Sequence, residues 1–235
     1  MMELQVAAAK VAKYAARESG DTLEMIERPQ GGLSFVLADG QRSGRSAKAI
    51  SNLVAREAIA LLAEGVRDGA AARAAHDHLF THYQGKVSAT LHIVSVDLSS
   101  GTVVVSRNSP SPVWVRGPGG LQALEPSQPI GIYKRTKPLI HELSIAAPLH
   151  LVLYTDGLES AGQRYGERLD VSRVVGDLLS RPQVSAPDVA EELLRLAVAL
   201  DRGHPGDDIS VLVLSIVPSA EQEEVRRLLV RFPLG

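Results

Sequence analysis

The sequence predicts an α+β domain in which antiparallel sheets are covered by segregated pairs of helices. Three observations carry this. The hydrophobic period changes in blocks: strands, two helices, several strands, two helices, a last strand. Few strand pairs are separated by a single helix, which argues against a doubly wound parallel sheet. The composition is 45% hydrophobic but only 4% aromatic, so the core is aliphatic. At 235 residues, with no repeats and no low-complexity linker, one domain over 1–235 is expected, with a core of about 3–217.

Residues 4–17 are ambiguous, because LQVAAAKVAKYAAR favours helix by propensity while Leu4, Val6 and Ala8 alternate as in a strand. Ser19–Asp21 makes a turn, Leu23–Ile26 a short strand, and RPQGG at 28–32 a hairpin loop. Leu33–Ala38 returns as a buried strand that runs straight into Asp39 and Gly40, where the glycine is expected to let the chain turn sharply. From Ser46 to Val66 the spacing of Ile50, Leu53, Val54, Ala58, Leu61 and Leu62 predicts a long amphipathic helix. Ala72, Ala75, Leu79, Phe80 and Tyr83 mark a second, ended by Gly85. Strands are then expected at 89–98, 102–106, 113–115, 121–124, 139–145 and 149–155, the first four as two hairpins. Helices follow at 169–179 and at 186–200, the second with Pro187 in its first turn, then a loop at 201–208. The strand Ile209–Val217 precedes a short covering helix at 219–231 that carries Val225, Leu228 and Leu229 on one face.

The totals exclude several function classes. A net charge of −2 with no basic run argues against nucleic-acid binding. No cysteine is present, which removes disulfides, thiolate zinc sites and a cysteine nucleophile, and suits a cytoplasmic protein. No apolar run reaches the roughly 18 residues of a membrane helix, so no membrane partner is expected. His76, His78 and His82 tempt a zinc reading, but His76 lies near the apolar face of its helix and the other two on the polar side. Trp114 alternates within a strand and reads as packing.

Four aspartates stand at strand ends: Asp21 before one, Asp39 and Asp156 after one, Asp207 before one. Carboxylates, carbonyls and water are the donors that hard cations such as Mg²⁺ and Mn²⁺ take. Asp-Gly and Gly-Asp are also ordinary turn dipeptides, so spacing alone does not bring the four together. The ordered motifs do more. Ser19–Gly20–Asp21, Val36–Leu37–Ala38–Asp39–Gly40 with Ser43–Gly44, Leu153–Tyr154–Thr155–Asp156–Gly157–Leu158 and Gly206–Asp207–Asp208–Ile209–Ser210 resemble those of bacterial metal-dependent serine/threonine phosphatases of the type 2C superfamily. The branch they resemble is that of the sporulation-stage-II, RsbU and RsbX phosphatases, and the short length is closest to RsbX-like proteins. Asn108, Pro129–Ile130–Gly131 and Arg164–Leu169 are similar too.

That resemblance implies a four-layer α-β-β-α sandwich with two antiparallel sheets flanked by helix pairs, and it makes the N-terminus a strand. It implies two divalent ions, Mn²⁺ or Mg²⁺. Asp39 would bridge them and the Gly40 carbonyl would bind one; Asp21 would join Asp39 on the second ion, and Asp156 and Asp207 would hold the first. Asp208 would support the ligands or exchange with Asp207. The implied reaction is one-step hydrolysis of phosphoserine or phosphothreonine by a metal-bridging hydroxide. The implied substrate is a phosphorylated regulatory protein of a partner-switching pathway, of the anti-sigma-factor-antagonist or scaffold type. Two departures bear on substrate choice. Arg42 stands where a second glycine is common, and Asn108–Ser109–Pro110–Ser111 where Asn-Ala-Gly-His is common. Arg42, Arg45, Asn108 and His204 are the candidates for contact with substrate. The rival readings are a catalytically weak phosphoprotein-binding module of the same fold and a two-metal phosphoesterase for small molecules.

Overall fold

The computed structural model describes residues 1–219 and 225–233. In chain order the strands are β1 (Met2–Val11), β2 (Asp21–Glu27), β3 (Gly32–Gly40), β4 (Ala89–Asp97), β5 (Thr102–Asn108), β6 (Val113–Gly117), β7 (Gly120–Leu124), β8 (Leu139–Ser144), β9 (Leu149–Tyr154) and β10 (Ile209–Pro218). The helices are α1 (Gly44–Ala63), α2 (Asp68–Tyr83), α3 (Gly157–Ser160), α4 (Val171–Leu179) and α5 (Ala186–Leu200). Two five-stranded sheets result, ordered β1-β10-β9-β6-β7 and β2-β3-β4-β5-β8, and every pairing between named strands is antiparallel. Among the described residues no helix is long and apolar enough to cross a membrane.

Three apolar clusters stack these sheets and helices into four layers. Phe35, Leu37, Val94, Val105, Leu151 and Leu214 fill the space between the sheets. Val36, Ile93, Ile50 and Leu79 join the second sheet to α1 and α2. Val152, Val211, Val175 and Leu193 join the first sheet to α4 and α5. Each central strand therefore buries both faces, which is why its sequence reads as a nearly continuous aliphatic run.

The N-terminal segment is a strand despite its alanines. It pairs with β10 along its whole length, from Met2↔Pro218 to Val11↔Ile209. Leu4 and Val6 face the inter-sheet cluster while Ala7, Ala9 and Val11 face the helices. Tertiary pairing outweighs a helix propensity of a few tenths of a kcal/mol per residue.

Two expectations need correcting. The strand before Asp39 does not stop short of it: β3 runs through Asp39 and Gly40, and Gly40 does not turn the chain. A Cβ there would lie 2.1 Å from the Ala47 carbonyl oxygen, so glycine is required because α1 crosses the strand at close range. The covering helix expected at 219–231 is absent where it can be described. Ser219 and residues 225–231 are irregular, and 220–224 lie outside the described residues. Val225, Leu228 and Leu229 are 63%, 73% and 81% exposed, so no packed surface supplies what a short helix needs to form.

Candidate active site

The four aspartates come to one end of the sandwich by simple register. Asp21 and Asp39 are direct partners in the β2–β3 ladder. Alternation from Leu23 and Met25, and from Phe35 and Leu37, points both carboxyls into the layer between the sheets. The opposite sheet answers with hydroxyls. Ser210, at the start of β10, and Thr155, just past β9, donate to Asp21 Oδ2 at 2.6 and 2.9 Å. Asp21 therefore links the sheets through one oxygen, while its buried Oδ1 has no hydrogen-bond partner.

Asp156 follows Thr155 as the residue before α3, and Asp207 precedes β10. The Asp39 carboxyl is pushed up to about 9, first by burial and then by the charges of Asp21, Asp156 and Asp207. Desolvation followed by Asp207 and Asp21 also raises Asp156, which sits at the exposed mouth. Asp21 is raised, chiefly by burial. The charges of Asp21, Asp156 and Asp207 thus all bear on the Asp39 carboxyl. Among the described residues, no group of three or more His, Cys, Asp or Glu side chains is arranged so that it could hold a metal ion as the side chains stand.

Asp208 has a different task from Asp207. It is buried, and its two oxygens accept from Lys13 N at 3.0 Å and Gly20 N at 2.9 Å, pinning the β1–β2 connection. Asp207 is half-buried and accepts the Asp208 amide at 3.0 Å. A Cβ on Gly157 would lie 2.0 Å from the Asp208 carbonyl oxygen. Both Asp-Gly pairs thus place glycine where another backbone segment passes; Asp39–Gly40 lies within a strand, while Asp156–Gly157 makes the turn that Leu158 N closes on the Thr155 carbonyl at 3.0 Å.

The four substrate-contact candidates are not equivalent. Arg42 and Arg45 are exposed around the start of α1, beside the Gly40 end of β3. Arg42 holds φ at 86°, a left-handed backbone that favours glycine. His204 is exposed, edge-on to Tyr14 with ring centroids 4.3 Å apart. Asn108 is only 1% exposed, and its Nδ2 donates to the Gln128 and Lys137 carbonyls at 3.0 and 3.3 Å. It clamps a loop and offers no free donor to a substrate, which corrects the expectation for it. The helix histidines are structural: His76 is buried and accepts from Gly131 N at 3.1 Å, and His78 meets Glu57 at 2.8 Å.

Sequence reasoning missed several supports. Lys10 and Lys48 each donate to the Asp21 carbonyl at 2.7 Å, setting two positive charges against the carboxylates. Alternation from Leu4 and Val6 along β1 was the available signal for Lys10. Asp201 is buried and ties Gly162 N and Gly206 N to itself at 2.8 and 3.0 Å, bracing the loop that carries Asp207. Ser210 and Thr155 lie inside the quoted motifs, but their bonds to Asp21 depend on which strands oppose each other.

The fold is that of PP2C-type phosphatase domains. The chain belongs to the Stage II sporulation protein E (SpoIIE) family, which it matches over residues 29–217. Similar folds are found in the PP2C phosphatase domain, with a fragment of the regulatory domain, of SpoIIE from Bacillus subtilis (TM-score 0.76, 21% identity, covering 91% of this chain and 63% of that one). The catalytic domain of the serine/threonine phosphatase PstP, in complex with two manganese ions, aligns with TM-score 0.69 and 17% identity over 93% of this chain and 100% of that one. RsbX in complex with magnesium aligns with TM-score 0.69 and 16% identity over 92% and 100%. No curated protein sequence matches the chain.

Proposed function

We propose that this domain is a metal-dependent phosphoprotein phosphatase that removes phosphate from serine or threonine of a regulatory protein in a partner-switching pathway, in the manner of RsbX-like proteins. The observation that carries it is the gathering of Asp21, Asp39, Asp156 and Asp207 at one end of the inter-sheet layer. The residues fit divalent cations. All the donors are hard oxygens, and Asp21 presents a buried oxygen with no partner while its other oxygen is saturated. Asp39 and Asp21, with the Gly40 carbonyl, would hold one ion, and Asp39, Asp156 and Asp207 the other. Bound ions of this type supply Lewis acidity, lowering the pKa of water and neutralising phosphoryl oxygens.

The chain's own residues do the rest. Ser210 and Thr155 fix the Asp21 carboxyl, Lys10 and Lys48 balance its charge, and Asp208 and Asp201 hold the loops that present Asp156 and Asp207. Arg42 and Arg45, exposed beside Gly40, would be the groups to meet an incoming phosphate, which a guanidinium suits. The bound partner would be a phosphorylated protein of the anti-sigma-factor-antagonist or scaffold type; one similar solved structure is described under the bacterial stressosome, a modular system adapted to control secondary messenger signaling.

The test compares p-nitrophenyl phosphate and a phosphoserine protein with Mn²⁺, Mg²⁺ or EDTA, using the protein and its Asp39→Asn variant. The reading expects metal-dependent turnover of both substrates, abolished by EDTA. Asp39→Asn is expected to lose about 10³-fold or more of the turnover, along with the rise in Tm on adding Mn²⁺. Phosphoprotein binding without turnover in any metal would make this a binding module, and turnover of small esters alone would make it a small-molecule phosphoesterase.

A further inference from the structure

The chain between β7 and β8 forms the base of a cleft whose chemistry differs from that of the aspartate site. Its base is held firmly. Ala89 and Ile130 exchange both backbone hydrogen bonds, at 3.1 and 2.9 Å. Gly131 N donates to His76, and Asn108 ties the Gln128 and Lys137 carbonyls together. From this base a cleft of about 460 Å³ opens, lined by Pro126, Tyr133, Arg135, Thr136, Lys137 and Leu139. No carboxylate lines it. Lys134, Arg135 and Lys137 are exposed, and none of the three forms a salt bridge among the described residues. Ile132, Tyr133, Leu139 and Ile140 are 39%, 61%, 37% and 45% exposed, a local concentration of apolar surface beside these cations.

The cleft is also close to the site. Gly40, Ala89 and Ile130 lie in one row across neighbouring strands, and Gly40 follows Asp39. Two strand spacings are about 10 Å, which an extended chain covers in roughly three residues. β8 is the free edge of its sheet, and Leu139 at its start lines the cleft.

We infer that this cleft receives an acidic, extended segment of the phosphoprotein substrate, starting about three residues from the phosphorylated side chain. The inference rests on the phosphatase reading and names the substrate chemistry of that same site. Electrostatics supports it. The mouth at Asp156 and Asp207 is acidic, and so repels an acidic segment, whereas Arg135 and Lys137 give the cleft exposed positive charge with no salt bridge among the described residues. Guanidinium and ammonium groups take carboxylates directly, and Tyr133 and Leu139 take an adjoining apolar side chain. Such charge pairing acts on encounter and on KM, not on the chemical step.

The experiment uses the full chain with Mn²⁺ and two phosphoserine peptides, one with Asp and Glu three to five residues from the phosphoserine and one with alanine there. The acidic peptide is expected to have a kcat/KM about tenfold higher, through KM. Arg135→Glu/Lys137→Glu should erase that preference and leave turnover of p-nitrophenyl phosphate unchanged. If the charge reversal lowers Tm, Arg135→Gln/Lys137→Gln replaces it and should show the same loss of preference. Direct binding of a fluorescent acidic phosphopeptide separates the two readings. Salt-sensitive binding that the double variant loses, without hydrolysis of any substrate, keeps the cleft and removes the phosphatase. Normal turnover of p-nitrophenyl phosphate, with equal kcat/KM for both peptides in the wild type, keeps the phosphatase and overturns the cleft.

Discussion

Single residues at this site are governed by what faces them across the inter-sheet layer. Ser210 is buried, and its hydroxyl saturates one oxygen of Asp21 at 2.6 Å. Removing a hydrogen-bonded support of a ligand typically costs 10–100-fold in metal affinity. Ser210→Ala is therefore expected to weaken Mn²⁺ binding by roughly 10–100-fold, read as the Mn²⁺ concentration needed for half of the Tm rise. An unchanged Mn²⁺ titration would show that Asp21 needs no such support. Arg42 illustrates the opposite case, a residue in a conformation it does not favour, with φ at 86°. Arg42→Gly relieves that strain at the cost of glycine's extra unfolded freedom, for a net gain of roughly 0.5–1 kcal/mol. Thermal unfolding should rise by about 2 °C. The position was marked in the sequence by the absence of an expected glycine; its backbone strain is a property of the folded loop.

Among elements, the junction of the β2–β3 hairpin with the α1–α2 connection carries the largest local stake. Arg28, just past β2, pairs with Asp68 at the start of α2, N to O 3.3 Å, both side chains being under one-tenth exposed. The same guanidinium donates to Ser34, Ser95 and the Val66 carbonyl. Arg28→Ala would leave the Asp68 carboxyl buried without its counter-charge and is expected to cost about 3–5 kcal/mol in denaturant unfolding. Replacing both residues with apolar side chains should recover most of that loss, because the pair's own net contribution is small. A single-variant cost below about 1 kcal/mol would mean that water reaches the pair. The periodicity of α1 and α2 was plain in the sequence, with boundaries within a few residues of those observed. The Arg28–Asp68 link was not, since RPQGG reads only as a hairpin loop and the partner lies 40 residues on.

At the scale of the whole molecule, the layer between the sheets is largely aliphatic, and a row just beneath the site carries two buried basic side chains. There Leu37, His92 and Arg107 are register neighbours across three strands, and His92 and Arg107 are 1% and 0% exposed. Burial, aided by Arg107, holds the His92 ring down to about 3. Between about 3 and the ordinary value near 6.5 the unfolded chain binds a proton that the folded one does not. His92 thus leaves stability intact above pH 6.5 and draws it down as pH falls toward 3, by roughly 1.4 kcal/mol per unit. His92→Leu is expected to flatten the fall in unfolding free energy between pH 6.5 and 4.5 relative to wild type. Parallel pH profiles for the two proteins would show that the ring finds water in the folded state.

Much was legible in the chain before folding. Blocks of alternating and helical period announced an α+β layered domain, because the solvent-facing and core-facing sides of each element must carry different chemistry. Aspartate beside glycine, repeated in order, announced where carboxylates would leave the strands. Convergence was decided only by the tertiary structure. Asp21 meets Asp39 because β2 and β3 pair in one register, and meets Ser210 and Thr155 because the second sheet stacks on the first. The same packing made both glycines clearances for a passing backbone, and spent the Asn108 donor on clamping a loop. A side chain's neighbours across a sheet or between layers are set by register and stacking, and those depend on contacts too distant in sequence for any local pattern to encode.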